Sequence, residues 1–184
     1  FVVLKGSEYI VLVSTARDAG GPPDRYYPQL HLFSLRTMEE VFAYRLSSYP
    51  CDSFITDIIE LAFDGGSTTN GTSEFKGNGR PRRFLVALNC TGKDNLLLFK
   101  IKDTQLVLEN AAATRFVITK LEKYFDNIVF AVGERFRAYK IDLRDNTFRL
   151  DAISKAIEQP GSLGVGCFIQ NSVLTIIDTL KGMH

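Results

Sequence analysis

The sequence predicts an all-β protein, a β-propeller fragment of about three four-stranded blades plus the first strand of a fourth. The first observation is a repeat: strand-like runs begin near Phe84, Ile128 and Val173, at spacings of 44 and 45 residues, the size of one propeller blade. Secondly, each unit contains four short runs rich in Val, Ile, Leu, Phe and Tyr, separated by turn residues. Thirdly, apolar and charged residues alternate in runs such as Arg135–Asp142, as a half-buried strand requires.

Blade one is predicted over residues 8–63. Its four strands are expected at Tyr9–Thr15, Gln29–Leu35, Glu39–Leu46 and Phe54–Phe63. Two segments rich in Gly, Pro and polar residues interrupt the repeat, at Arg17–Pro28 and Asp64–Arg82. Exposed loops accept such insertions, which explains why Tyr9 and Phe84 are 75 residues apart.

Blades two and three are predicted over residues 83–124 and 127–170, and residues 172–184 begin the next blade. The strands of blade two are expected at Arg83–Asn89, Asn95–Ile101, Gln105–Asn110 and Phe116–Tyr124, with turns at Lys93-Asp94 and Lys102-Asp103. Those of blade three are expected at Asn127–Val132, Phe136–Asp142, Phe148–Ala156 and Leu163–Gln170.

The first predicted strand of each blade is apolar on both faces, most clearly Arg83–Asn89. A strand buried on both sides has this pattern. We therefore expect it to be the innermost strand of its blade, lining the central channel between two neighbouring blades.

Composition is that of an ordinary globular domain: 184 residues, 45% hydrophobic and 23% charged. A formal net charge of +1 produces no global attraction to nucleic acid or membranes. Cys51, Cys90 and Cys167 are odd in number and far apart, which favours a reducing, intracellular compartment over a disulfide framework or a zinc cluster. The chain begins at Phe1, without a secretory signal pattern or an apolar run long enough to span a membrane. We expect a piece of a longer protein with no membrane partner.

The sequence predicts no catalytic residues, cofactor site, metal site or small-molecule substrate, and we do not expect an enzyme. His31 lies in a strand-like run, QLHLF, where a hydrogen-bonded polar-face histidine is commoner than a ligand or base, so a catalytic triad is not expected. No phosphate-binding glycine loop is recognisable. The carboxylates of Asp57 and Glu60, like Glu39-Glu40, are expected on a solvated face.

One local basic cluster comprises Lys76, Arg80, Arg82 and Arg83. Lys and Arg side chains in this arrangement could contact phosphate, and with it a nucleic acid. The alternative is a charged loop that flanks a strand, because the cluster lacks the interleaved aromatic residues of a single-strand binding groove.

Several segments resemble one propeller superfamily. Tyr9–Ala16 (YIVLVSTA) is similar to its first-strand motif, Arg82–Cys90 (RRFLVALNC) to another strand, and Phe116–Arg137 (FVITKLEKYFDNIVFAVGERFR) to a segment that contains a Gly-Asp pair. That superfamily contains the large subunit of the damaged-DNA-binding protein, the large subunit of the cleavage and polyadenylation factor, and the propeller subunit of splicing factor 3b. Gly133-Glu134 replaces the Gly-Asp pair, which indicates a divergent member.

The resemblance implies a non-catalytic scaffold in the nucleus. The divergence favours a yeast-type cullin adaptor of methyl-methanesulfonate resistance, a ubiquitin-ligase component that binds a cullin and substrate-receptor proteins during DNA repair or replication. Within it, Arg25, Tyr26 and Tyr27 are the expected partner-binding residues, because exposed Tyr and Arg are enriched at interface hot spots. Packing of these side chains against their own blade is the alternative interpretation.

A second hypothesis places the chain in an RNA-processing complex for pre-mRNA splicing or 3'-end cleavage. There the basic cluster would make a weak nucleic-acid contact that added salt abolishes.

Overall fold

A computed structural model describes residues 2–3, 8–17, 26–49, 53–61, 82–124, 127–144, 147–155, 157–158, 164–170, 173–178 and 182–183. Secondary structure in these ranges consists of β-strands joined by turns and bends. The all-β prediction is therefore confirmed. The strands are β1 (Val2–Val3), β2 (Tyr9–Arg17), β3 (Tyr26–Ser34), β4 (Glu39–Arg45), β5 (Ile55–Leu61), β6 (Arg83–Leu88), β7 (Leu96–Lys102), β8 (Gln105–Ala112), β9 (Ile118–Tyr124), β10 (Ile128–Gly133), β11 (Arg135–Arg144), β12 (Thr147–Ala152), β13 (Ile157–Glu158), β14 (Gly164–Gln170), β15 (Val173–Asp178) and β16 (Gly182–Met183).

The strands form four antiparallel sheets in chain order. The first sheet contains β1–β4, the second β5–β8, the third β9–β12 with β13 paired to β11, and the fourth β14–β16. Within each sheet, consecutive strands are hydrogen-bonded neighbours. Four such meanders in succession are the arrangement of a partial, propeller-like fold.

Equivalent strands of successive sheets lie against one another. The leading strands are in contact, β1 with β5, β5 with β9 and β9 with β14, and so are the trailing strands, β4 with β8 and β8 with β12. Each sheet therefore packs face to face on the next with the same strand order, as blades do around a propeller axis.

The predicted blade boundaries require a correction of one strand. The run expected to close blade one, β5, pairs with β6 from Leu61↔Arg83 to Ile55↔Leu88 and belongs to the second sheet. In the same way β9 joins the third sheet and β14 the fourth. The length of a repeat does not show at which strand each sheet begins. Residues 62–82 separate β5 from β6 along the chain, but the two strands are neighbours in the sheet.

The same correction applies to the apolar run Arg83–Asn89. Its strand, β6, is second in its sheet, between β5 and β7, and is not the leading strand. Residues Phe84–Leu88 are nevertheless fully buried, because the neighbouring sheets cover both faces.

Strict alternation divides β6 between two cores. Phe84, Val86 and Leu88 pack in the core shared with the first sheet, together with Leu30 and Leu32. The intervening residues Leu85 and Ala87 pack in the core shared with the third sheet, against residues such as Leu121 and Val129. The second sheet thus packs between the first and the third sheets.

A carboxylate ties the second sheet to the third. Asp57, on β5, accepts hydrogen bonds at Oδ2 from the backbone N–H of Leu121 (2.8 Å) and from Lys120 Nζ (2.9 Å). Its other oxygen accepts from Ile58 N (2.9 Å). The prediction that Asp57 lies on a solvated face is therefore incorrect, because its side chain is 15% exposed and lies between two sheets.

Candidate functional site

The antiparallel order places alternate loops at opposite ends of the sheets. The C-terminal ends of the even-numbered strands β2, β4, β6 and β8 share one end, which we call the groove end. The C-terminal ends of β3, β5 and β7 share the other, which we call the opposite end. Tyr26 and Tyr27 therefore lie at the groove end, and Arg82 and Arg83 at the opposite end.

A groove of about 490 Å³ opens at the groove end. Three loops form it: the turn after β4, the β6–β7 loop and the β8–β9 loop. Its lining residues are Ser48, Tyr49, Thr91, Gly92, Lys93, Asp94, Ala113 and Arg115. Loops carried by rigid strands are the usual binding surfaces of such folds.

A buried hydrogen-bond network fixes two of these loops. Asn95 is fully buried; its Nδ2 donates to the Phe116 carbonyl (2.8 Å), and its Oδ1 accepts from the N–H and the hydroxyl of Thr114 (2.9 and 3.0 Å). The Thr114 hydroxyl also contacts the Phe116 carbonyl at 2.8 Å. Because buried polar groups are costly to leave unpaired, this network holds the β6–β7 and β8–β9 loops in one geometry.

Lys93 and Tyr49 form one wall of the groove. Lys93 Nζ donates a hydrogen bond to the Ser48 carbonyl and lies 6.0 Å from the centre of the Tyr49 ring, within cation–π range. Burial of the side chain is the main reason that the pKa of Tyr49 is raised to about 12, and the nearby carboxylate of Asp94 adds to the increase. The phenol is therefore neutral at physiological pH and available as a hydrogen-bond donor.

The other side of the groove is more open. Arg115 is exposed and adopts a positive φ of 65°, a conformation that turns the chain sharply between β8 and β9. A Cβ atom added at Gly92 would meet no other atom within 4 Å. Larger side chains can therefore be introduced at Gly92 to fill the groove without disturbing its frame.

The residues expected to bind partners are partly described. Tyr26 is 45% exposed at the start of β3, whereas Tyr27 is half-buried and pairs with Ala16 on β2. Arg25 lies outside the described residues. Tyr26 thus adds an exposed aromatic side chain to the same end of the molecule as the groove.

The predicted basic cluster separates into different environments. Arg83 donates to the two carboxylate oxygens of Glu109 at 2.6 and 3.2 Å, and its side chain is only 11% exposed. Arg83 is therefore not available for the expected phosphate contact, because its guanidinium belongs to an internal ion pair. Arg82 is 40% exposed and lies 3.7 Å from Glu60, and Lys76 and Arg80 lie outside the described residues.

Burial by itself raises the pKa of Glu109. The hydrogen bonds and positive charges of Arg83 and of Lys100, whose Nζ is 3.2 Å away, more than offset this effect and hold the pKa below its usual value. The carboxylate is ionised at neutral pH. The ion pair therefore stabilises the contact between β6, β7 and β8.

A second polar group lies on the outer face of the first sheet, away from the groove. Ser14 Oγ is 2.6 Å from His31 Nε2, and His31 Nδ1 is 2.5 Å from Glu40 Oε2. These residues come from the adjacent strands β2, β3 and β4. Both ring nitrogens are hydrogen-bonded, as expected for a polar-face histidine.

Sequence reasoning did not find Ser14 and Glu40 as partners of His31. They are 17 and 9 residues away along the chain. Diagonal contacts of this kind depend on strand register, since Ser14 is paired with Gln29 and Glu40 with Phe33. The alternation of apolar and polar residues in β3 predicts only that His31 lies on the face opposite Leu30 and Leu32, and does not identify its partners.

Within the described ranges, no group of three or more His, Cys, Asp or Glu side chains is close enough to hold a metal ion. A helix of the length and apolarity needed to cross a membrane is likewise not found in the part of the chain that the structure describes.

Comparison with curated proteins gave no match. A family model described as "Uncharacterised protein YJR039W C-terminal domain" matches residues 1–179, nearly the whole chain. On this basis the chain belongs to the family of the YJR039W C-terminal domain.

Proposed function

We propose that this protein is a protein-interaction scaffold that binds a segment of a partner protein at the groove end. The observation that carries this proposal is the groove formed by three loops and held in place by the buried Asn95–Thr114 network. A binding surface that is already ordered pays less conformational entropy on association than a mobile one.

The side chains of the groove indicate how a partner would be recognised. Tyr49 lines the groove with a largely buried ring and a neutral hydroxyl, Arg115 is an exposed cation, and Tyr26 adds an exposed aromatic ring at the same end. Tyr and Arg are the residue types that most often dominate binding energy at interfaces. An extended peptide with an acidic residue opposite Arg115 would suit this surface.

At a finer level, we propose a ubiquitin-ligase adaptor of the cullin type, acting in DNA repair or replication in the nucleus. This proposal is supported by the resemblance of Tyr9–Ala16, Arg82–Cys90 and Phe116–Arg137 to the propeller superfamily of the damaged-DNA-binding protein. A cullin and substrate receptors would then be the partners.

Affinity purification of the full-length protein tests both levels. Recovery of a cullin would support the adaptor proposal, and recovery of an RNA-processing complex would replace it with the second hypothesis. We expect Gly92→Trp, which fills the groove, and Arg115→Glu, which reverses its exposed charge, to reduce recovery of the partner at least about tenfold, the loss that 1.4 kcal/mol produces.

Two matched variants serve as controls. Gly92→Ala adds one methyl group in open space, and Arg82→Glu reverses an exposed charge at the opposite end; both should retain wild-type recovery. Equal recovery with all four variants would contradict the groove as the binding site, and salt-sensitive loss with Arg82→Glu alone would favour a nucleic-acid contact.

A further inference from the structure

We propose that Ser14, His31 and Glu40 form a nucleophilic triad that accepts acyl groups from esters at Ser14 Oγ. This proposal goes beyond the scaffold function and departs from the sequence-based expectation that the chain is not an enzyme. It depends on a different surface, the outer face of the first sheet, so its outcome is independent of the groove.

The hydrogen bonds run in the direction that a general base requires. An ionised carboxylate only accepts hydrogen bonds, so the 2.5 Å contact with Glu40 Oε2 places the imidazole proton on Nδ1 of His31. In the neutral ring, Nε2 then carries the lone pair, and at 2.6 Å it accepts from the hydroxyl of Ser14. Serine, histidine and carboxylate are linked in the order of hydrolase triads on unrelated folds.

The three side chains of the triad differ in their exposure to solvent. Ser14 is exposed, whereas the His31 side chain is 19% exposed and that of Glu40 43%. The centre of the Phe33 ring lies 6.3 Å from that of the imidazole and covers part of its surroundings. A reagent can therefore reach the hydroxyl while the base is held in position.

Strand register also supplies an oxyanion donor. Leu35 N donates to Glu8 O (2.6 Å), so these two residues form a hydrogen-bonded pair of the β2–β3 ladder. In an antiparallel ladder, such pairs recur at every second residue. Ser14 and Gln29, which are opposite each other, are therefore also a hydrogen-bonded pair. The N–H of Thr15 consequently points away from β3. The described pairing of β1 with β2 is at Ile10 and Val11, and Thr15 lies beyond it.

The chemistry balances without a further reactant. Ser14 Oγ attacks the carbonyl carbon of the ester while His31 Nε2 takes the hydroxyl proton, and the N–H of Thr15 stabilises the developing oxyanion. The carbon–oxygen bond to the leaving alcohol then breaks, and that alcohol receives the proton from His31. Water, activated by the same base, releases the acid and restores the serine. The half-buried Leu12 and Phe33 on this face favour esters with a short apolar acyl group.

Labelling of the full-length protein with a fluorophosphonate, which modifies activated serines, is the direct test. We expect labelling that maps to Ser14 and is abolished by Ser14→Ala. His31→Ala should slow it by about 100-fold or more, the usual contribution of a general base. The matched control is Ser47→Ala, which removes another exposed serine hydroxyl, in the turn after β4, and it should leave the labelling rate unchanged.

A purely structural network gives a different result. In the triad, both His31→Ala and Glu40→Gln lower the labelling rate, whereas in a network that only stabilises the fold they leave it unchanged. If wild-type protein labels no faster than Ser14→Ala, whether because the serine is inert or because another part of the full-length protein covers it, the proposal is overturned. Turnover of p-nitrophenyl butyrate, abolished by Ser14→Ala, would extend labelling to hydrolysis.

Discussion

The backbone of Gly133 lies so close to Val117 that a Cβ atom at Gly133 would be 1.7 Å from the Val117 carbonyl oxygen. Gly133 ends β10, and the register with β9 shifts between Val132 and Gly133. The absence of a side chain therefore allows β9 and β10 to stay paired through the bulge.

Gly133→Ala should destabilise the protein strongly. The added methyl group must displace backbone atoms and not a flexible side chain, so we expect a loss of about 3 kcal/mol or more in the free energy of unfolding, above the usual cost of overpacking. Urea denaturation followed by far-UV circular dichroism measures it. Gly92→Ala is the matched control, with an expected change within about 0.5–1 kcal/mol; equal effects at the two positions would contradict the close approach.

Asn95→Ala should release the two loops of the groove. The substitution removes three hydrogen bonds of a fully buried side chain, and each buried group left unpaired costs about 1–3 kcal/mol. We expect a total loss of about 2–4 kcal/mol. Thr114→Val, which keeps the shape of the side chain, should cost less.

Asn95 and Thr114 should also be energetically coupled. Because they share hydrogen bonds, the double variant Asn95→Ala, Thr114→Val should be less destabilised than the two single losses combined, by about 0.5–1 kcal/mol or more. Strict additivity in urea denaturation would indicate that the two side chains do not act as one network.

The Glu109 ion pair should make stability depend on pH in the acidic range. The folded-state pKa of Glu109 lies below the usual value of 4.5, so the unfolded chain takes up a proton first as pH falls. The stabilisation is therefore fully present above about pH 4.5 and is lost progressively below it. Urea midpoints measured from pH 7 to pH 3 should fall less steeply for Glu109→Gln than for wild type, although the variant is less stable at pH 7 because Arg83 loses its partner. Parallel curves would contradict this assignment.

Thr104→Gly should stabilise the β7–β8 hairpin. Asp103 and Thr104 connect the paired residues Lys102 and Gln105 with φ values of 48° and 63°, as in a two-residue type I′ turn. A β-branched residue is strained at positive φ, so glycine should add about 0.5–1 kcal/mol to the free energy of unfolding. Gln105→Gly, in the adjoining strand, should destabilise instead; a loss of stability with Thr104→Gly would rule out strain at Thr104.

The sequence predicted a turn between β7 and β8 but placed it one residue early. Lys102-Asp103 was predicted, whereas Asp103 and Thr104 are the two residues with positive φ. Asp at the first central position favours such a turn. Thr at the second does not, so the local pattern was insufficient to define the hairpin.

By itself, the sequence determined the all-β class, the repeat of about 45 residues and the positions of the apolar strands, because side-chain alternation and repeat spacing are local properties. Tertiary structure decided which sheet each strand joins, that Arg83 pairs with Glu109 inside the protein, and that Ser14 and Glu40 meet His31. These contacts depend on strand register and on sheet-to-sheet packing, since both bring together residues that are far apart along the chain. The groove likewise exists only because three loops, each unremarkable in sequence, end at the same side of the stacked sheets.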